Sequence, residues 1–479
     1  MKKRIWSLTL AGVMLISLGA CGRQEQAATE TKSPAEATEE AEPERIEAEE
    51  PEETEIKETE TETEEVRATS GRIPELCAWK KSYYETADDG TLLMKGGSEV
   101  PILTADSSED YPDLAAGMLK EAEKSRATFE EDLANAVDGA KEWYADSPDA
   151  FEGMYYTSYL SVLPERVDAK VTSYYLSYSD YTGGAHGMYG QEGHTFDNET
   201  GASLSLSDVL SDASGVQSAV KEELLLAYPD QEMFDDLDEA LSYYDVAITE
   251  TTPSDDNELG YHYPYNWTLT ESGIEFYFGP YALAAYAAGA QTVTLTYEDY
   301  ADIIRPEYLP EGQRDRLVTF YGGLTGLDLT GDGERDSLWV NYDYGEDYET
   351  IEGVGISLNE EISESFTDVS EYDSDNARGY YLETTDGKKY VYLVLDGMND
   401  YEGLFAFDLS DGTPRKLGSQ VYSRSTFDFS DDGSYSEMLL VDPDRMCFCS
   451  RFDFLSSFNA FRYYHPGADG MPESTEPYY

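Results

Sequence analysis

Cysteine, histidine and positive charge are all scarce in this chain, and each scarcity removes a class of function. Four cysteines occur in 479 residues. Setting aside Cys21, which directly follows the apolar leader, Cys77, Cys447 and Cys449 cannot pair completely, and Cys447 and Cys449 would turn two thiols to one face of a strand. That suits neither a disulfide framework nor a zinc knuckle, and leaves a bridge from Cys77 to the C-terminal pair as the one cross-link open. The four histidines, His186, His194, His262 and His465, contain no His-x-x-x-His spacing, so the helical zinc site of many hydrolases is missing. Lys and Arg number 32 against 99 Asp and Glu, a net charge of −67, which disfavours nucleic acid as a partner. Long apolar runs are absent apart from Leu8 to Leu18, which is too short to span a bilayer comfortably. No Gly-x-Ser-x-Gly, catalytic Cys-His arrangement or phosphate loop is evident.

What is present begins with Lys2, Lys3 and Arg4, the short apolar run and then small residues, the pattern of an export signal over residues 1–20. Leu18-Gly19-Ala20-Cys21 resembles the lipobox of bacterial lipoproteins. That resemblance implies lipidation of Cys21 and anchoring on the outer face of the cytoplasmic membrane or cell surface, where two acyl chains hold firmly. An ordinary secretory signal with an incidental cysteine is the alternative. Residues 21–71 follow as an acidic tether: Gly22 to Ser70 holds eighteen Glu, no Asp and five bases, with almost nothing to bury. A random coil of that length reaches about 40 Å, and self-repulsion extends it. Once the leader (+3) and the tether (−13) are set aside, −57 of the net −67 falls on residues 71–479. Such a surface selects cationic partners, including calcium and basic proteins, although acidity also serves solubility alone.

Hydrophobic periodicity divides the remainder into an α+β pair and a β module. Residues 72–180 read as short strands, a long helix with Leu114, Met118, Phe129, Leu133 and Val137 on one face, and two alternating strands. Residues 181–310 read as a second α+β domain: a helix from Val216 to Tyr228, an acidic helical stretch from Gln231 to Tyr243, then strand, turn, strand, a helix closed by Gly289, strand and helix. The expectation is therefore two mixed helix and antiparallel-sheet domains followed by a mostly β C-terminal module over 319–464. In that module LDLTGDG, FDLSDG and FDFSDDG are weakly self-similar, but the length supplies only three or so propeller blades, so a compact β unit is expected.

Two histidines lie in SDYTGGAHGMYGQEGHTFDNETG, Ser179 to Gly201. Taken in order, YTGGAHG (Tyr181–Gly187), FDNETG (Phe196–Gly201), LSLSDVL (Leu204–Leu210), IEFYFGPYALAAYAAG (Ile274–Gly289) and VTLTYEDYADII (Val293–Ile304) resemble the paired extracellular domains of the RsiV-type anti-sigma factor, which senses lysozyme. The same region is similar to the accessory part of PdaC-type peptidoglycan deacetylases, over roughly residues 73–310. The resemblance implies a binding role toward a lysozyme-like cationic protein or peptidoglycan, and the sensor's sigma-binding and transmembrane segments are not found in this sequence. Tyr181, Gly183, Gly184, His186, Tyr189 and His194 are the candidate ligand-binding residues, with a structural role for the histidines as the competing reading. A two-histidine metal site with Asp180 or Glu192 lacks an obvious third ligand. His194-Thr195-Phe196-Asp197 also resembles the first motif of polysaccharide deacetylases, but the later paired histidines are missing, so a strand entering an Asx turn is expected instead. No catalytic residues are assigned. The 40 tyrosines, with clusters at Tyr174-Tyr175 and Tyr178, offer stacking platforms or simply half-buried strands.

One oxygen-rich pattern remains. In LDLTGDGERDSLWV, Asp328, Thr330, Asp332, Glu334 and Asp336 fall at positions 1, 3, 5, 7 and 9 of a calcium loop, with Gly333 at the turn. Position 12 is Trp339, so no EF-hand closes; the pattern is similar to the loops of FG-GAP-type β repeats. Calcium is thus the candidate cofactor, and a hairpin with solvated acids the alternative. The overall expectation is a lipid-anchored surface binding protein, with wall glycan deacetylation or hydrolysis, or a calcium-dependent scaffold, as the readings it competes against.

Overall fold

Two strands and a long helix set the architecture. A computed structural model describes residues 72–475 apart from 230, 234–235, 255–259, 311, 313, 334, 346–349, 360, 368, 398–400 and 455. The export signal, Cys21, the tether and Glu334 lie outside the described residues. Strands β1 (Leu76–Thr86) and β2 (Leu92–Leu103) pair antiparallel from Leu76 opposite Leu103 onward. Helix α1 (Pro112–Asp146) then crosses back to β3 (Tyr156–Val167), which runs parallel to β2. Pro112 is suited to a first helical turn, and Pro148 just beyond the end cannot continue the helix. Leu114, Met118, Ala122, Phe129, Leu133 and Ala140 are its buried apolar residues, at the spacing of one helical face. Each large side chain among them contributes roughly 1.5–3 kcal/mol by leaving water. Arg126 shares that face because its guanidinium lies over the Trp79 ring, 3.6 Å from the centroid.

Strands β4 (Val171–Tyr181) and β5 (Met188–Asp197) complete this side of the sheet as a hairpin. The hairpin follows the helix from end to end. Its Gly201 turn touches the first helical turns, where an added Cβ would stand 2.0 Å from the Asp113 carbonyl oxygen. Its Gly183 loop touches the last turns, against Trp143. Residues 180 and 181, the expected domain division, lie at the end of β4 as it enters this hairpin turn. The glycine-rich turn joins two neighbouring strands of one sheet.

The other face of β4 and β5 carries a second core. A three-stranded sheet, Trp267–Leu269, Gly273–Phe278 and Gln291–Thr296, packs with helix Val216–Ala227 around Val220, Leu224, Ile274, Phe276 and Leu295, and Val171 from β4 enters the same cluster. Arg166, buried on β3, ties the two cores by donating to Asp168 at 2.7 Å and to the Tyr308 carbonyl at 2.6 Å. The expected helix closed by Gly289 is not continuous. Pro280 and Tyr281 form a turn with Tyr281 at φ 67°, and only Tyr286–Ala288 winds as a short 3₁₀ segment. The left-handed residue and the need to bury Leu283 and Ala284 together override the local helix propensity.

The C-terminal part is a β module of two layers. An eight-stranded sheet runs in the order Arg316–Phe320, Tyr372–Glu383, Lys389–Gly397, Tyr401–Asp408, Arg415–Ser423, Met446–Phe454, Ser456–Pro466 and Pro472–Ser474. A four-stranded sheet, Gly323–Thr325, Ser337–Tyr344, Ile351–Leu358 and Glu361–Ile362, closes over one side of it. Phe320, Leu338, Ile356, Tyr381, Leu393, Phe405 and Phe407 fill the space between them. The self-similar Asp-Gly segments are turns and loops of this assembly and do not form blades. Tyr435–Met438 leaves the module and pairs with β1, so the first sheet reaches seven strands only with the C-terminal chain in place. Cys77, Cys447 and Cys449 are buried free thiols.

Candidate functional site

Strand β5 has a different neighbour on each face because side chains alternate. Glu192 and His194 turn toward α1. Tyr189 and Gly193 turn toward the second core, where a Cβ on Gly193 would lie 2.0 Å from the Trp267 carbonyl oxygen. Asn266 closes this contact by accepting from the Gly193 amide at 2.8 Å and donating to the Gln191 carbonyl at 2.6 Å.

The loop before β5 faces outward. Gly183 adopts φ 88° and Gly184 φ 96°, which favour glycine. Tyr181 donates its hydroxyl to the Gly184 carbonyl at 3.2 Å. The exposed His186 places Nδ1 2.9 Å from the Gly187 carbonyl and stacks its ring on Tyr286, with centroids 3.8 Å apart and planes at 18°. Tyr286 in turn donates to the Gly187 carbonyl at 2.7 Å. Tyr189 meets Tyr286 edge-on at 5.9 Å and accepts from the Ala290 amide at 3.2 Å. Tyr281, 49% exposed, lies 5.6 Å from Tyr286. His186, Tyr189, Tyr281 and Tyr286 thus form an aromatic surface patch built from two segments about a hundred residues apart. Sequence reasoning found His186 and Tyr189 but not Tyr281 or Tyr286. Those two lie inside the segment quoted for the family resemblance, and nothing local in the sequence shows that it folds against the glycine loop.

His194 is separate from this patch. It is buried, stacked on Tyr174 at 5.2 Å, with Nε2 3.8 Å from Glu192 Oε1. Burial lowers its pKa, with Glu192 and Glu121 opposing that shift. The following Thr195-Phe196-Asp197 enters a turn. Asp197 accepts from the Thr200 amide at 3.0 Å and pairs with Lys170 at 2.9 Å, while Asn198 bonds Thr172 and the Asp168 carbonyl. Asp197 and Asn198 therefore spend their side-chain polar atoms on holding this turn.

At the oxygen-rich loop, Asp328 accepts from the amides of Gly331, Asp332 and Gly333 at 2.6, 3.1 and 2.8 Å. Burial disfavours the charge, but these amides overcome it and lower the Asp328 pKa. Asp336 is buried and accepts from the Thr330 amide at 2.6 Å and from Asn359 at 2.8 Å. Lys389 donates to the Leu329 carbonyl at 2.6 Å and contributes positive charge nearby. Asp332 lies exposed at the tip of this turn, four residues after Asp328.

Two groups of buried charges lie elsewhere. Lys80, Glu99, Arg378 and Glu437 alternate across the junction of β1, β2 and the module: Lys80 to Glu99 at 2.7 Å and Glu437 at 3.2 Å, Arg378 to Glu99 at 2.8 Å and Glu437 at 2.6 Å. Beside them a cavity of about 20 Å³, the size of one water, is lined by Arg378, Asp396, Glu402, Ser425 and Glu437. Between the first two cores, burial pushes Glu275 up to about 7, and burial with neighbouring Glu275 and Glu271 raises Glu165 well above the usual carboxylate range.

Residues 221–298 match the family model described as a protein of unknown function, DUF3298. This segment falls inside the region that carries the sequence resemblance. Two solved structures are similar to the chain. A member of the DUF3298 family from Bacteroides fragilis is 16% identical, with 50% of this chain and 96% of that chain covered and a TM-score of 0.35. A DUF3298 family protein from Pseudomonas aeruginosa is 18% identical, with 51% of this chain and 100% of that chain covered and a TM-score of 0.33. Comparison with curated proteins finds no match.

Proposed function

We propose that this chain is a lipid-anchored, non-catalytic surface receptor whose aromatic patch engages a cationic, envelope-active protein of the lysozyme kind. The observation that carries the reading is the outward patch of His186, Tyr189, Tyr281 and Tyr286 on a chain of net charge −67. Partly exposed tyrosines on rigid backbone are efficient anchors for a protein partner, and the surrounding acidity steers a basic one. The resemblance of residues 73–310 to the RsiV-type and PdaC-type regions supports a binding role at the envelope. His186 is engaged by a carbonyl and a tyrosine face, contacts that hold a loop rather than move a proton. The Asp328–Asp336 loop is assigned to calcium as a structural staple of the β module.

The test is lysozyme binding to the full chain at low and high salt. Binding that weakens with salt and falls at least tenfold in Tyr281→Ala and His186→Ala, with melting unchanged, supports the proposal. No binding at low salt sinks it, and retention on purified peptidoglycan alone replaces the protein partner with glycan. Release of acetate or sugar from wall, abolished by His186→Ala, restores the enzyme reading.

A further inference from the structure

We propose that Glu121, Glu192 and His194 form a divalent transition-metal site of the zinc class between α1 and β5. One ligand atom of each lies within 4.8 Å of the other two. His194 is 8% exposed, and its Nε2 is buried without a hydrogen-bond partner. A buried ring nitrogen in that condition is uncommon and calls for an explanation. Glu192 Oε1, at 3.8 Å, is too far for a hydrogen bond and leaves room for an ion between the two.

Around a tetrahedral zinc with ligands at 2.0–2.1 Å, ligand atoms stand roughly 3.3 Å apart. The three atoms therefore need to close by no more than about 1.5 Å, given the 4.8 Å limit on their separation. Glu192 can supply that movement because its side chain is 62% exposed. Glu121 is held by Lys124 at 2.8 Å, and Lys124, 69% exposed, can exchange it for water. His194 stays fixed, stacked on the buried Tyr174 with planes at 27°. One rigid imidazole and two adjustable carboxylates leave a fourth position for solvent. The nitrogen donor selects zinc-like ions over calcium or magnesium, which take oxygen ligands. Residues 192 and 194 share a strand face and Glu121 comes from the helix, so an ion here would staple the long helix to the sheet edge. The site is independent of the proposed partner and of the Asp328 loop.

The full chain, stripped with chelator, is titrated with zinc chloride alone, and cobalt absorption reports the coordination. One ion per chain is expected, lost in His194→Ala and weakened at least tenfold in both Glu192→Gln and Glu121→Gln, with Asp328→Asn unchanged. Because Glu192 is exposed, Glu192→Gln retains the fold even where His194→Ala does not, and its metal-free melting should match the parent. Binding that is unaffected by Glu192→Gln and Glu121→Gln, binding reduced equally by Asp328→Asn, or no uptake at millimolar zinc overturns the proposal.

Discussion

Replacing Glu437 by Gln should loosen the C-terminal module from the first sheet by about 3 kcal/mol at pH 7. Burial alone would raise the Glu437 pKa, but Lys80 and Arg378 prevail and bring it down to about 2 from 4.5. That difference of roughly 2.5 units corresponds to about 3 kcal/mol at ~1.4 kcal/mol per unit. Because the folded value is depressed, the stabilisation is fully present above pH 4.5 and disappears as pH falls toward 2. The same substitution should therefore be severe at pH 7 and nearly silent at pH 2 and below. Urea unfolding at both pH values, together with hydrogen exchange of the β1 amides that pair with Tyr435–Met438, reads the effect at its source. Pairing Glu437→Leu with Arg378→Met removes one charge of each sign and leaves the Lys80–Glu99 pair balanced at 2.7 Å, so most of the loss should return. A loss below about 1 kcal/mol at pH 7, or an equal loss at both pH values, would refute the electrostatic account and leave only packing.

Three further outcomes are expected. Glu275 and Glu402, both pushed up to about 7 chiefly by burial, keep protons when folded that the unfolded chain releases near 4.5, so melting temperature should decline as pH rises from about 4.5 through about 7 and then level off. Glu275→Gln should flatten part of that slope, and a parent profile flat across the range would contradict it. Gly193→Val should destabilise by at least 1–3 kcal/mol, measured by urea unfolding, because its Cβ collides with the Trp267 carbonyl on a segment that cannot retreat without breaking the second core. In zinc-free protein, withdrawing calcium should lower the melting of the β module and not of the first two cores; Asp328→Asn should abolish that difference, and identical melts with and without calcium would dismiss the staple.

Much of the fold was legible because its signals are local. The spacing of Leu114, Met118, Phe129 and Leu133 marks a helix face, alternation marks the strands, and Asp-Asn-Glu-Thr-Gly marks the turn at Asp197. The broken helix after Gly279 was not legible, since propensity favours Ala-rich helix and only the buried Leu283 and Ala284 argue otherwise. The candidate surface was half legible. His186 and Tyr189 stand out as rare or aromatic residues among glycines, whereas Tyr281 and Tyr286 gain meaning only once the second core folds against β5.

The amino-acid order by itself determined composition-scale properties: the acid excess, the lack of a disulfide framework, the mixed α+β start and the β-rich end. These follow from residue counts and short periods, which no tertiary arrangement can change. Tertiary structure decided what meets what. It turned His186 outward and His194 under the helix, although both belong to one 23-residue stretch, because His186 lies in the loop before β5 and folds onto Tyr286, whereas His194 lies within β5 on the face turned to α1. It also joined Tyr435–Met438 to β1 across more than 350 residues, where four alternating buried charges make the pairing specific.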